Sequence, residues 1–292
     1  MKCVLLFFLG LATASVCSRA AEPIRVSSFS TILTEIAEQV GGDRVKVTGH
    51  VKPGVDPHEF EPKPTDLKTV GSAQLILLSA KHMEAYVGKL KESTGTKGNL
   101  LEVGDGFGSL NMKNEESGKT IEDPHWWQSV ENVEKATKIV RDALTAISPA
   151  DKAAFTANTD KYLARLESLR KWAKAKISEL PRDKRKLVTS HDAFQYFARE
   201  NGFTIYAIEG VSSTDQPSSK KVADLIATVK AQGVKAIFPE SIENPKVLTE
   251  ITKETGAKIG PELYADGLGE GDVSTYEGMF KHNVTAIVDS LK

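Results

Sequence analysis

Two histidines of this chain each follow an Asp-Pro pair, in segments that are unsuited to regular secondary structure. His58 stands in KPGVDPHEFEPKP (52–64), and His125 stands in EDPHWW (122–127). Proline at this density can neither continue a helix nor pair as a central strand. The pattern therefore predicts stiff loops whose backbone is held before any ligand arrives, and its repetition indicates a shared task.

Two further segments place reactive side chains after strand-like runs. LVTSHDAFQYFARE puts His191 between an apolar strand and an amphipathic helix, and ELYADGLGEGD puts Asp266 after a strand and before a glycine-rich turn. In α/β folds, sites lie at the carboxyl ends of the strands. Because His58, His125, His191 and Asp266 are so far apart in sequence, we expect them to meet only in a cleft between two halves of the molecule.

The other histidines and several acids are weaker candidates. His50 lies in the strand-like segment VKVTGHV and His282 on the last predicted helix, so both are interpreted as packing or surface residues. His82 is interpreted as a surface residue, with a position beside the cleft as the alternative. Three glutamates are alternative oxygen donors, for which surface or supporting roles are expected: Glu59, Glu61 and Glu209.

The elements that must position these residues alternate between strand-like and helix-like patterns, which predicts an α/β fold. QLILLSA (74–80) is apolar throughout, as buried parallel strands are. Residues 108–123 are polar and contain glycine, which indicates a surface loop. The longest helical pattern covers 148–181 and predicts a helix of roughly 45–50 Å at 1.5 Å per residue. The alternation resumes after it, so this helix is predicted to join two α/β halves.

Composition and the amino terminus restrict the class of protein. Residues 1–20 have the basic, apolar and small-residue order of a secretory leader. The alternative is lipid modification at Cys17, for which the preceding residues are a poor match. Both cysteines, Cys3 and Cys17, lie in this leader, so the mature chain has no thiolate ligand or disulfide. Loss of Lys2 and Arg19 changes the net charge from −1 to −3, which argues against nucleic acid as a partner.

The predicted organisation is a signal peptide (1–20), an N-terminal α/β domain (21–147), a linking helix (148–181) and a C-terminal α/β domain (182–292). About 270 mature residues exceed the usual size of a single core, which supports two domains. We expect a monomer.

Four segments together resemble a known family: PGVDPHEFEPKPTDL, DPHWW, SHDAFQYFA and YADGLGEGDVSTYEGMFKHNV. They are similar to the signature segments of the metal-binding solute-binding proteins of zinc and manganese ABC uptake systems. The resemblance implies two domains with four-stranded parallel sheets, a rigid backbone helix and one divalent cation between the domains. It further implies a periplasmic or extracytoplasmic location, delivery to a membrane permease, and His58, His125, His191 and Asp266 as metal ligands.

Three imidazoles and one carboxylate form a donor set that suits tetrahedral Zn²⁺. Family members that favour manganese or iron usually resemble this pattern with Glu in place of His191. His191 therefore favours zinc (Zn²⁺), with a manganese- or iron-binding protein of the same class (Mn²⁺ as cargo) as the alternative. The segment NMKNEESGKTIED lacks the histidines that many zinc members carry before the second motif, which weakens the preference.

Two other classes of function fit the sequence less well. A secreted zinc hydrolase needs an open metal position and a general base, whereas this donor set fills four positions and the chain has no HExxH. A surface adhesin or structural zinc protein is the third class. The sequence favours a binding protein and not an enzyme.

Overall fold

The computed structural model describes residues 22–94, 99–113, 118–211, 217–240 and 246–292. The predicted leader (1–20), Cys3 and Cys17 lie outside these residues, so secretion and lipid anchoring stay predictions. Within the described ranges, no helix combines the length and apolarity that a membrane crossing requires.

The first half of the chain is built on a four-stranded parallel sheet with strand order β2-β1-β3-β4. Central strand β1 aligns its Val26 with Val47 of β2 on one side and with Leu75 of β3 on the other. Strand β3, LILL, is fully buried, as its continuous apolar run predicts. The strands are β1 (Ile24–Ser28), β2 (Val45–Gly49), β3 (Leu75–Leu78) and β4 (Asn99–Glu102).

The predicted surface loop at 108–123 is wrong in part, because it contains a small antiparallel hairpin. Its strands are β5 (Asn111–Lys113) and β6 (Thr120–Glu122), with Met112 opposite Ile121. Met112 is buried whereas its neighbours on β5 are exposed. One side of this segment is therefore buried, although its polar composition predicts that it is exposed throughout.

The second half repeats the topology of the first. Its four-stranded parallel sheet has the order β10-β9-β7-β8, which corresponds strand for strand to β4-β3-β1-β2. The strands are β7 (Lys186–Thr189), β8 (Thr204–Ala207), β9 (Ala236–Phe238) and β10 (Lys258–Ile259). The prediction of two α/β halves with four-stranded parallel sheets is confirmed.

Helices cover both sheets, and several begin where a hydroxyl side chain caps the first turn. Ser30, Ser129, Ser218 and Thr275 each accept a hydrogen bond from a backbone N–H of the helix that follows. The helices are α1 (Thr31–Gly41), α2 (Pro64–Ser72), α3 (Val87–Thr94), α4 (Val130–Ile147), α5 (Lys152–Ser178), α6 (Gln195–Asn201), α7 (Ser219–Gln232), α8 (Lys246–Thr255) and α9 (Tyr276–Leu291).

The long linking helix is confirmed, although it is shorter than the predicted 148–181. A 3₁₀ turn, Pro149–Asp151, precedes the 27-residue α5. The Ser148 hydroxyl donates to the Asp151 carboxylate at 2.7 Å and caps no helical N–H. At 1.5 Å per residue, α5 is about 40 Å long.

The buried side of α5 belongs to a core that continues from one half into the other. Its buried positions recur every three or four residues: Phe155, Thr159, Tyr162, Leu166, Leu169, Ala173 and Ile177. The same apolar cluster includes Leu75 of the first sheet and Phe238 of the second. Burial of each large apolar side chain stabilises the fold by about 1.5–3 kcal/mol. This shared core therefore stabilises the packing of the two halves on either side of the cleft. The domain boundaries at 147/148 and 181/182 stay a prediction.

Candidate metal centre

The four predicted residues occupy loops between the two sheets. His191 comes two residues after β7, whereas His58 follows β2 by a longer loop and His125 follows the β5–β6 hairpin. Asp266 comes three residues after Leu263, which pairs with Glu240 beyond the end of β9. His191 therefore follows a sheet strand directly, whereas His58 and His125 lie on irregular loops, as their proline-rich segments predict.

The two Asp-Pro-His motifs form the same local turn. Asp56 Oδ1 accepts the backbone N–H of His58 at 2.8 Å, and Asp123 Oδ1 accepts the backbone N–H of His125 at 2.9 Å. An aspartate that bonds the backbone two residues ahead is an Asx turn, and the intervening proline fixes its φ angle. The repeated motif is thus a means of holding a histidine on an irregular loop.

The structure brings all four side chains together, with one possible ligand atom of each within 4.8 Å of the others. Asp266 Oδ1 lies 3.5 Å from His58 Nε2, 3.4 Å from His125 Nε2 and 3.4 Å from His191 Nε2. His58 Nε2 and His125 Nε2 are 3.2 Å apart. No other group of three or more His, Cys, Asp or Glu side chains with this geometry occurs in the described ranges.

The four separations just given are close to those between the ligand atoms of a tetrahedral metal site. Bonds of 2.0–2.1 Å to nitrogen or oxygen place neighbouring ligand atoms of a tetrahedron about 3.3 Å apart. His191 Nε2 and Asp266 Oδ1 are buried and make no hydrogen bond to the described part of the protein. Buried polar atoms normally have partners, and a cation among the four atoms would provide one.

Two carboxylates behind the cluster set which ring nitrogen faces it. His125 Nδ1 donates to Asp123 Oδ1 at 2.8 Å, and His191 Nδ1 donates to Glu240 Oε2. Glu240 Oε1 also accepts the backbone N–H of His191 at 3.2 Å. In the neutral form of each ring these bonds keep the proton on Nδ1, so that Nε2 presents its lone pair to the cluster, as in ligating histidines.

Charge and burial act in opposite directions on the imidazoles of the metal-free protein. Burial lowers the pKa of His125, although Asp123 opposes the shift. Burial also disfavours the charged ring of His191, but the carboxylates of Glu240 and Asp266 outweigh it and hold the pKa well above its usual range. Burial works against the Asp266 carboxylate too, yet His191 keeps its pKa well below the usual range. A proton on His191 therefore competes with a metal ion.

Asp266 belongs to the second half of the chain, but side chains of the first half hold its loop. Trp127 Nε1 and Gln128 Nε2 both donate to the carbonyl of Ala265, each at 2.7 Å. Thr31 Oγ1 accepts the backbone N–H of Leu268 at 2.8 Å.

Gly267 allows this close approach, since a Cβ atom there would lie 2.6 Å from Thr31 Oγ1. The Asp266 carboxylate is therefore positioned by contacts across the cleft.

Solvent reaches the cluster from one side. The His58 side chain is 9% exposed and that of Asp266 is 4% exposed, whereas those of His125 and His191 are fully buried. The proline-rich loop that carries His58 therefore lies on the more exposed side of the cluster.

The weaker candidates lie outside the cluster. Glu59 and Glu61 are exposed and Glu209 is half-buried. His82 is exposed, on backbone with a φ of 69°. His282 Nε2 bonds to the Glu262 carbonyl at 2.8 Å on the surface. The sequence pattern placed His50 within a strand, but strand β2 ends at Gly49 and His50 follows it.

Sequence reasoning missed the supporting residues. The repeated Asp-Pro-His motif drew attention to Asp123, but the hydrogen bond from the His125 ring to the Asp123 carboxylate was not predicted. Glu240 follows a short apolar strand, and Gln128 follows the Trp-Trp pair. No local pattern distinguishes either one.

Two similar parallel-sheet halves, a linking helix and a buried three-His, one-Asp cluster between them define a metal-binding substrate-binding protein of ABC transport systems. The family model described as "ZnuA: Zinc-uptake complex component A periplasmic" matches residues 26–290. The chain belongs to this family.

Relatives and solved structures agree on the class and differ in the metal that they name. The chain is 32% identical to the manganese-binding lipoprotein MntA of Bacillus subtilis, over 97% of this chain and 94% of MntA. It is 30% identical to the zinc-binding protein TroA of Treponema pallidum, over 92% of this chain and 89% of TroA. The TroA structure superposes with a TM-score of 0.85 at 28% identity and covers 93% of this chain and 99% of TroA. These relatives are substrate-binding proteins and not enzymes, as the sequence predicted.

Another match is the manganese-bound periplasmic metal-binding protein from Candidatus Liberibacter asiaticus. Its TM-score is 0.83 at 27% identity, with 93% of this chain and 100% of that chain covered.

Proposed function

We propose that this protein captures Zn²⁺ outside the cytoplasm between His58, His125, His191 and Asp266 and delivers it to the membrane permease of an ABC transporter. The observation that supports this most directly is the convergence of three imidazole nitrogens on one carboxylate oxygen at 3.4–3.5 Å. The family supplies the permease as partner. Neutral imidazoles favour zinc over manganese, which prefers oxygen donors.

Manganese is the second candidate cargo, favoured by the names of MntA and of other relatives. Zinc binds more tightly than manganese to nearly any such site, so binding alone does not identify the cargo. The deciding experiment is uptake of labelled zinc and labelled manganese by cells with and without the gene for this chain. Loss of manganese uptake alone would overturn the zinc assignment.

We expect the metal-free protein to bind one equivalent of zinc tightly and to melt several degrees higher when loaded. A ligand at 1,000 times its Kd stabilises the folded state by about 4 kcal/mol. Titration against a chelator of known affinity, with melting curves of both forms, measures the two effects. Two equivalents of similar affinity would contradict a single site.

Zinc affinity should rise with pH above about 6.5, the region where imidazoles ordinarily titrate. The raised pKa of His191 means that its proton must leave before Nε2 can bind the ion, whereas His125, with a lowered pKa, is already neutral. We therefore expect about one proton released per zinc bound, with the gain in affinity ending as pH passes the raised pKa of His191. Calorimetry in buffers of different ionisation enthalpy counts the protons. No release between about pH 6.5 and 7.5 would contradict this assignment.

A further inference from the structure

The ring of His50, which lies outside the metal cluster, is held on both sides. His50 Nε2 lies 3.2 Å from Ser27 Oγ, and His50 Nδ1 lies 3.2 Å from Asp66 Oδ1. The ring also stacks on Phe29, with centroids 4.7 Å apart and an angle of 19° between the planes. The residue is 8% exposed, so the ring has a defined position.

These contacts join the two ends of the loop that carries His58. His50 begins the loop, and its backbone N–H donates to the Ser28 carbonyl of β1 at 2.8 Å. At the far end, Asp66 Oδ2 accepts the backbone N–H of Lys63 at 2.8 Å, before the first turn of α2. The pair of His50 and Asp66 therefore closes the base of a loop with His58 near its middle.

Other contacts fix the interior of the loop to the same place. Phe60, two residues after His58, packs against Phe29 and Tyr86, with ring centroids 6.0 Å and 5.9 Å apart. Phe29 thus contacts both the base of the loop, through the His50 ring, and its interior. A shift of the base would be transmitted to His58 through these packed rings.

The hydrogen bonds of His50 fit a neutral ring. Burial lowers the pKa of His50, so at neutral pH the ring carries one proton, which Nδ1 donates to Asp66 while Nε2 accepts the Ser27 hydroxyl. A serine, histidine and aspartate in this order resemble the hydrogen-bond chain of a hydrolase. Ser27 is fully buried, however, and no substrate reaches its hydroxyl in this structure.

We propose that His50 is a positioning residue for metal binding, which holds His58 in place by closing the base of its loop. This inference rests on the proposed metal site. It assigns a role to a histidine that binds no metal, and it makes the geometry of the exposed side of the site depend on a contact outside the cluster.

The test is zinc affinity and dissociation rate in His50→Ala, with Co²⁺ as a spectroscopic probe. We expect about a tenfold loss of affinity, the lower end of the range for residues that orient metal ligands, through faster dissociation. The visible bands of the Co²⁺ form should also change, because they report ligand geometry. His50→Asn, whose amide replaces Nδ1–H, should restore most of the affinity. Ser27→Ala, which removes one neutral hydrogen bond, should cost about threefold.

Val229→Ala is the matched control, since Val229 lies in a separate apolar cluster of the second half. It should lower the melting temperature and leave affinity and the Co²⁺ spectrum unchanged. If His50 only stabilises the fold, His50→Ala will behave in the same way, and the proposal is wrong. Should His50→Ala fail to fold, unchanged affinity in both Ser27→Ala and Asp66→Ala would overturn the proposal, because both contacts of the ring would then be dispensable for binding. Absence of zinc binding by the unsubstituted protein would instead refute the proposed function.

Discussion

His191→Ala is expected to lower zinc affinity by at least about a hundredfold. Structural zinc sites with four protein ligands bind with about 10–16 kcal/mol, so one ligand accounts on average for about 3 kcal/mol, and about 1.4 kcal/mol is a factor of ten. His191 Nε2 is one of three nitrogens that face Asp266 Oδ1. Chelator competition measures the loss. His282, a half-buried residue outside the cluster, provides the control: His282→Ala should bind zinc normally.

His191→Glu tests the choice of metal at the same position. It replaces a nitrogen by a carboxylate, which manganese prefers, so zinc affinity should fall by more than manganese affinity. The new carboxylate would face Glu240, which now accepts two N–H groups of His191. We therefore expect the clearest result in His191→Glu combined with Glu240→Gln, which supplies an amide donor in place of the second negative charge.

The competing interpretation treats His191 as a helix-entry residue that packs locally. It predicts that both substitutions lower the melting temperature of the metal-free protein while zinc affinity stays the same. Unchanged zinc affinity in His191→Ala would exclude His191 as a ligand.

Glu240→Gln alone should weaken zinc binding by about 10–100-fold, although Glu240 does not face the ion. Its two oxygens accept two different donors, the backbone N–H and the ring Nδ1–H of His191. A glutamine offers one acceptor oxygen, and its NH₂ group would oppose one of these two donors. Where the NH₂ group opposes the ring, His191 must turn or move its proton to Nε2, which blocks the lone pair that binds the metal; where it opposes the backbone N–H, the loop that carries His191 loses a hydrogen bond.

Asp123→Asn is the matched comparison, because there a single oxygen accepts both bonds. Asp123 Oδ1 receives the backbone N–H and the ring Nδ1–H of His125, and the asparagine oxygen can receive both as well. Both of these bonds are kept while the charge is lost, so we expect a smaller decrease in zinc affinity than in Glu240→Gln. Equal decreases in the two variants would show that charge, and not the direction of the hydrogen bonds, is what these residues contribute.

Local patterns in the sequence determined the elements and the chemistry of the candidate site. Apolar runs such as LILL predict buried parallel strands, and the periodic stripe from Phe155 to Ile177 predicts the long helix, because side-chain burial follows the period of the backbone. The Asp-Pro-His motifs indicate loops with a fixed backbone, because each aspartate side chain accepts a hydrogen bond from the backbone N–H two residues ahead. The types and order of His58, His125, His191 and Asp266 were therefore readable from the sequence and its family resemblance.

Only the tertiary structure decided how these residues are held. Glu240 meets His191 across 49 residues of chain, and Gln128 meets the carbonyl of Ala265 across 137. Such contacts leave no periodic trace, because they arise when separately folded segments pack into one core. The same holds for His50, an ordinary histidine in the sequence that meets Asp66 only when β2 pairs with β1 and α2 packs against the sheet. The sequence supplied the donor atoms, and packing between distant segments brought the three imidazole nitrogens to within 3.5 Å of the Asp266 carboxylate.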